Sequence, residues 1–129
     1  AAGLLQDGAE VTMVNRGVER GRRAAELLGV PFLPLADFTA DGYSLLVHAT
    51  PVTDALPFPL DGLCAGAVIL ELPYRPGDTP LIAAARSRGH LAIDGREMML
   101  VEMHRQFHLM TGRQLPSAEV RAALGDGHR

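Results

Sequence analysis

Four short clusters hold the residue types that do chemistry in this sequence. Asn15-Arg16-Gly17, with Arg20 four positions after Arg16, closes a β-type run and opens a helical one. Two guanidiniums at the first turn of a helix suit a phosphate, because side-chain charge and helix N-terminus both favour an anion. Exposed arginines on a solvated helix start are the other reading of this pair. His48-Ala49-Thr50-Pro51 ends the next long apolar run, where the Thr50 hydroxyl and the local backbone are placed to touch a ligand. His48 itself reads as a packed or exposed histidine rather than an acid or base. Glu71-Leu72-Pro73-Tyr74-Arg75-Pro76 offers the Tyr74 hydroxyl, or else an amphipathic side chain at a strand edge. Asp94-Gly95-Arg96-Glu97-Met98 places a glycine at a strand-to-helix turn, which permits close backbone approach to a ligand.

The elements that must position these clusters follow from periodicity and punctuation. Residues Ala1 to Gly8 read as a helix end, and Glu10 to Asn15 as a strand. Val18 to Leu28 reads as a helix with a Glu19–Arg23 pair at i,i+4, stopped by Gly29. Strands are expected at Val30–Leu33, Tyr43–Ala49, Ala67–Leu72 and His90–Ile93. Pro51 to Gly62 is a loop with room for one helical turn. Thr79-Pro80 is a hydroxyl cap followed by Pro at the first helical position, opening a helix to about Arg88. Asp94 with Glu97 resembles a capping box and opens a long helix to about Thr111. On that helix Met98, Met99, Met103, Phe107 and Met110 lie mainly on one stripe, which reads as core packing. A last helix spans about Ser117 to Leu124, before a polar tail. Strands alternating with helices over short connections predict a parallel sheet covered on both faces, with ligands at the carboxyl ends of the strands.

In such dinucleotide folds the end of the second strand meets the adenosine ribose. An acidic residue there binds the 2′-hydroxyl of NAD, whereas Arg accommodates a 2′-phosphate. Asn15-Arg16 with Arg20, and no acidic residue at the strand end, points to NADP.

Composition closes off other classes. The 129 residues are 47% hydrophobic and 21% charged, as in an ordinary globular domain. A net charge of −3 gives no global basic field for nucleic acid. The longest apolar run, Ala65 to Leu70, is too short to cross a membrane, and no leader pattern opens the chain. The single cysteine, Cys64, permits no internal disulfide and suits a reducing, cytoplasmic setting. All twelve basic side chains are Arg. No lysine-dependent mechanism can therefore be completed within this chain.

From about Glu10 to Leu124 the chain resembles shikimate dehydrogenase. The family's Asn-Arg-Thr with a nearby Arg matches Asn15, Arg16 and Arg20, with Gly17 in place of Thr. Its Asn-Ala-Thr segment is similar to His48–Pro51. Its Tyr-x-Pro-x-x-Thr-x-Leu segment matches Tyr74, Pro76, Thr79 and Leu81, and its Gly-x-x-Met, Phe and Thr-Gly positions match Gly95, Met98, Phe107, Thr111 and Gly112. The resemblance implies a Rossmann-like doubly wound parallel α/β sheet, with residues 1–129 forming an NADP-binding domain. It implies NADP-dependent interconversion of 3-dehydroshikimate and shikimate, on the route to chorismate and aromatic amino acids. It also implies roles: Asn15, Arg16 and Arg20 on the 2′-phosphate; Ala49, Thr50, Leu72, Gly95 and Met98 along the cofactor; Tyr74 and Glu102 on the substrate. The closing DGREMM…QFHLMTGRQLP resembles enzymes fused behind a dehydroquinate dehydratase domain.

The chain departs from the pattern at His48 for Asn, Thr53-Asp54 for Gly-Met, and Glu102 for Gln. An ionised Glu only accepts hydrogen bonds, whereas Gln also donates. A quinate-type dehydrogenase and a non-catalytic NADP-binding member are the alternatives these departures leave open. The family's catalytic Lys and Asp belong to an N-terminal substrate domain, so no catalytic residue is expected here. The Gly-rich pyrophosphate turn and the first strand are expected just before Ala1, giving a fold truncated at its N-terminus. In a 3-2-1-4-5-6 order, removing that central strand separates two strands from the other three.

Overall fold

A computed structural model describes residues 1–124, and the polar tail read from the sequence lies outside the described residues. Two compact units divide the chain, Ala1–Thr39 and Ala40 onward.

The first unit holds helix α1 (Ala2–Gln6), strand β1 (Met13–Asn15), helix α2 (Val18–Leu28), strand β2 (Phe32–Pro34) and a 3-10 turn at Leu35–Asp37 that the sequence pattern did not announce. Strands β1 and β2 pair in parallel, Met13 opposite Phe32 and Asn15 opposite Pro34. Helix α2 keeps the bounds expected of it. Gly29 ends it at φ 66, a left-handed cap that a residue with a Cβ adopts only at a cost. Gly21 lets α2 lie against the strands, since a Cβ there would stand 2.3 Å from the Phe32 ring and 2.7 Å from Asn15 Cβ. The Glu19–Arg23 pair does not form among the described residues: both side chains are exposed, where water competes for the charges.

The second unit holds β3 (Leu45–His48), β4 (Val68–Glu71), α3 (Pro80–Ser87), β5 (Leu91–Ile93), α4 (Gly95–Thr111) and α5 (Ser117–Leu124). Its three parallel strands run in the order β3-β4-β5. The architecture is therefore parallel α/β, and its strands fall into a two-stranded and a three-stranded sheet, the separation expected from the sequence. All strands are shorter than their apolar runs. Residues 51–62 form turns without a helical one.

Helix α3 is anchored by Leu81, Ile82 and Ala85, each fully buried, and packs on β4 and β5. Its cap is as expected: the Thr79 hydroxyl accepts from the Ile82 N–H at 3.2 Å, ahead of Pro80. Helix α4 differs from expectation in two ways. Asp94 caps it, accepting from the Arg96 and Glu97 N–H groups, but Glu97 does not return the capping bond. The Glu97 carboxylate instead meets the Arg121 guanidinium of α5, a stronger donor than a backbone amide. The methionine stripe is not core either. Only Gly95 and Leu100 are buried on α4, while Met103 and Met110 are exposed. A helix packed chiefly on α5 buries too narrow a face to hold five large side chains.

Candidate functional site

In the first unit the candidate residues gather where β1 runs into α2. Asn15 is the last residue of β1, and its Oδ1 accepts from the Gly17 N–H at 3.2 Å, folding the chain into the helix start. Gly17 is the N-cap and supplies no side-chain acceptor. The first-turn N–H groups of α2 are thus left without the cap a Thr would provide. Arg16 and Arg20 are exposed and make no ion pair or hydrogen bond among the described residues. Two uncommitted guanidiniums beside an uncapped helix N-terminus can hold a dianionic phosphate. Glu19 in the same turn is also exposed and leaves both arginines unpaired.

In the second unit the candidates collect at the carboxyl ends of the parallel strands. His48 and Glu71, the last residues of β3 and β4, stand opposite one another in the register. Ala49 and Thr50 continue from β3, and Leu72 and Tyr74 from β4; all four are exposed. The Leu72 N–H donates to the His48 carbonyl at 2.9 Å and carries the pairing one residue past the strands. The Arg75 guanidinium donates to the Thr53 carbonyl at 2.7 Å, tying together the segments that leave β3 and β4.

Gly95 opens α4 just past β5, and Met98 and Glu102 follow at three and seven positions, along one side of the helix. At Gly95 the protein backbone itself comes close. A Cβ there would stand 2.2 Å from the Pro73 carbonyl oxygen, so α4 starts against the backbone that leaves β4. Glu102 is exposed and accepts from the Gln106 side chain at 2.9 Å.

Sequence reasoning missed what surrounds His48. The imidazole is 2% exposed and Glu71 1% exposed. His48 Nδ1 lies 2.8 Å from Glu71 Oε1, and His48 Nε2 lies 2.6 Å from Thr50 Oγ1. The Thr79 hydroxyl donates to Glu71 Oε2. The packed reading of His48 holds, but as a member of a polar chain, buried except at Thr50, that runs from Thr50 through His48 and Glu71 to Thr79. The available signal was a lone carboxylate in the otherwise apolar run Ala67–Leu72, ending level with a histidine.

A second cluster braces the same strand ends. Arg86 Nη1 meets Asp78 at 2.6 Å, and Arg96 Nη2 meets Asp94 at 2.9 Å. Cross-contacts of 3.5 Å (Arg86–Asp94) and 3.7 Å (Arg96–Asp78) close the ring. Burial works against the Asp94 charge. Hydrogen bonds from the Arg96 side chain and the Glu97 and Arg96 backbone, with the Arg96 charge, nevertheless hold its carboxyl below the usual value. The same pairing holds the Arg96 guanidinium in its charged form. Arg96 is therefore committed within the protein, unlike Arg16 and Arg20.

Among the described residues no cluster of His, Cys, Asp or Glu is arranged for a metal, and no helix is long and apolar enough to cross a membrane.

No family model matches the chain. A shikimate dehydrogenase (NADP(+)) of Rhodopseudomonas palustris (strain TIE-1) is 37% identical, covering 95% of this chain and 48% of its own length. Among solved structures, shikimate 5-dehydrogenase from Thermus thermophilus, in complex with NADP(H) and shikimate, is 29% identical with a TM-score of 0.80, covering 94% of this chain and 47% of its own. Shikimate dehydrogenase from Aquifex aeolicus shares the fold at a TM-score of 0.82 and 23% identity, covering 95% of this chain and 47% of its own. The chain thus spans about half the length of the curated relatives it matches. Over nearly its whole length it is a homologue of the shikimate dehydrogenases.

Proposed function

We propose that this chain is the NADP-binding domain of a cytoplasmic shikimate dehydrogenase-type oxidoreductase that interconverts 3-dehydroshikimate and shikimate. The observation that carries the reading is the pair of uncommitted guanidiniums, Arg16 and Arg20, at the uncapped start of α2. In this reading Asn15, Arg16 and Arg20 hold the 2′-phosphate. Ala49, Thr50, Leu72, Gly95 and Met98 lie along the cofactor toward the nicotinamide. Tyr74 and Glu102 meet the substrate. When bound, the nicotinamide supplies or takes the hydride. The relative crystallised with NADP(H) and shikimate supports both ligands.

Oxidation of a carbinol also needs a group to take the hydroxyl proton. This chain has no lysine for that task. We assign it to the part of the protein corresponding to the other half of the relatives' length; a fused dehydroquinate dehydratase domain is the finer form of the proposal. Glu102 in place of an amide leaves open a second reading, a quinate-type dehydrogenase, because an acceptor-only carboxylate changes which substrate groups that position can meet.

The test is Arg16→Ala in the full-length protein carrying this chain. Charge-assisted hydrogen bonds contribute about 1.5–3 kcal/mol each, so NADP affinity should fall roughly tenfold or more while NAD affinity changes little. Equal NADP binding by the wild type and the variant would sink the assignment. Turnover of quinate in preference to shikimate would select the second reading.

A further inference from the structure

The chain Thr50–His48–Glu71–Thr79, buried except at Thr50, has a direction, and the direction has a consequence for the ligand. Thr79 has one hydroxyl proton, which it donates to Glu71 Oε2, while its oxygen accepts from the Ile82 N–H. Glu71 Oε2 is therefore an acceptor, and Oε1 is free to accept from His48 Nδ1 at 2.8 Å. A carboxylate in that position puts the imidazole proton on Nδ1. In the neutral ring Nε2 is then an acceptor. With the ring neutral, the proton that bridges the 2.6 Å between Nε2 and Thr50 Oγ1 is the threonine's own. Thr50 thus spends its proton inward, which leaves its oxygen only lone pairs to offer a ligand at this exposed residue. Phe58 stands edge-on to the imidazole, with centroids 6.1 Å apart, an apolar neighbour that offers the ring no competing partner.

We propose that His48 is a positioning residue that makes Thr50 a one-way hydrogen-bond acceptor, selecting a neutral N–H or O–H donor on the bound nucleotide. The inference rests on the nucleotide-binding reading above. Its chemistry is the opposite of the Arg16 and Arg20 end: an anionic oxygen placed against Thr50 would meet lone pairs and no proton. Such a network is poorly explained by stability alone, since a buried ionised group costs several kcal/mol in desolvation and apolar packing does the same structural job. The shared donor chemistry has three sources in a dinucleotide: the adenine amino group, a ribose hydroxyl and the nicotinamide carboxamide.

Nitrogen-15 NMR of the histidine rings in the full-length protein reads the tautomer directly, with the proton on His48 Nδ1 expected. Glu71→Gln gives the sharpest variant. The substituted amide must keep its oxygen for Thr79, so it turns its NH2 toward Nδ1, moves the ring proton to Nε2, and frees the Thr50 proton to point outward. The tautomer signal should invert, and NADP affinity should fall about three- to tenfold, the effect of one hydrogen bond. Thr50→Val should cost the same and Thr50→Ser should recover most of it. If His48 acts through Thr50, adding Thr50→Val to Glu71→Gln produces no further loss. Comparing NADP with 2′-phospho-ADP-ribose, which lacks the nicotinamide, narrows the donor: an equal loss places it on the adenine or a ribose, a loss confined to NADP on the carboxamide. A proton on Nε2 in the wild type, fully additive losses, or unchanged affinity in Thr50→Val each overturn the inference while NADP binding itself stands. Failure of the wild type to bind NADP at all overturns the nucleotide reading and the ligand selection with it.

Discussion

The start of α2 and the carboxyl ends of β3 and β4 handle polar groups in opposite ways. At α2, Arg16 and Arg20 are exposed and unpaired among the described residues, and the helix N-cap is a glycine without a side-chain acceptor. At β3 and β4, His48, Glu71 and Thr79 are buried, and every hydrogen-bonding atom of the Glu71 carboxylate has a partner inside the protein. The difference matches what each place is proposed to hold. A phosphate brings its own charge and is met by groups kept available for it. A neutral group needs direction, and direction comes from groups already bound to one another.

That contrast predicts where stability resides. The largest loss should come from His48→Leu, which leaves the Glu71 carboxylate buried with one partner fewer. Losing a hydrogen bond to a buried charged group costs about 1.5–3 kcal/mol, and chemical denaturation of the full-length protein measures it. A loss under about 1 kcal/mol would mean that water or a neighbouring donor repairs the site. Gly95→Ala comes next. Its new methyl group meets backbone at Pro73 rather than a yielding side chain, so a cost of about 1–3 kcal/mol is expected from overpacking. A neutral outcome would show that the start of α4 shifts freely.

Asp94 gives a smaller, pH-dependent effect. Its folded-state pKa is depressed below the ordinary 3.8. The stabilisation is therefore present above that ordinary value and is lost as pH falls through the folded-state value. Asp94→Asn keeps a capping oxygen but should flatten this acid limb in a pH series of thermal melts; an unchanged limb would assign it to other carboxylates. The smallest effect belongs to the other region. Arg16→Ala and Arg20→Ala should each leave stability within about 0.5 kcal/mol, as at exposed sites without partners. A larger loss would mean the arginines serve the fold, and the comparison between the two regions would collapse.

Much of the frame was legible in the residues because it is written locally. Helix α2 kept its expected ends because Gly29 can take the left-handed cap, and α3 began at Thr79-Pro80 because the hydroxyl and the ring suit those positions. The division of the strands followed from topology alone. What stayed hidden depends on partners distant in sequence. His48 and Glu71 are 23 residues apart and meet only through the β3–β4 register. Glu97 looked like half of a capping box until α5 brought Arg121 within reach. The methionines of α4 have helical spacing, but spacing cannot say how much of a helix finds a surface to cover. At Gly95 the turn position was legible, but its backbone neighbour Pro73, 22 residues earlier in the chain, was not.

The lone cysteine has a practical consequence. Cys64 is exposed and lies four residues before β4, whose far end carries Glu71. Because β3, β4 and β5 run in parallel, the candidate residues of this unit sit at the opposite ends of the strands from Cys64. A strand advances about 3.3 Å per residue, so a fluorophore or spin label attached to that thiol is separated from Glu71 by at least the length of β4. Within this sequence the thiol also has no competing cysteine or lysine side chain, so a single reagent gives a single product and a reporter that need not touch what it reports on.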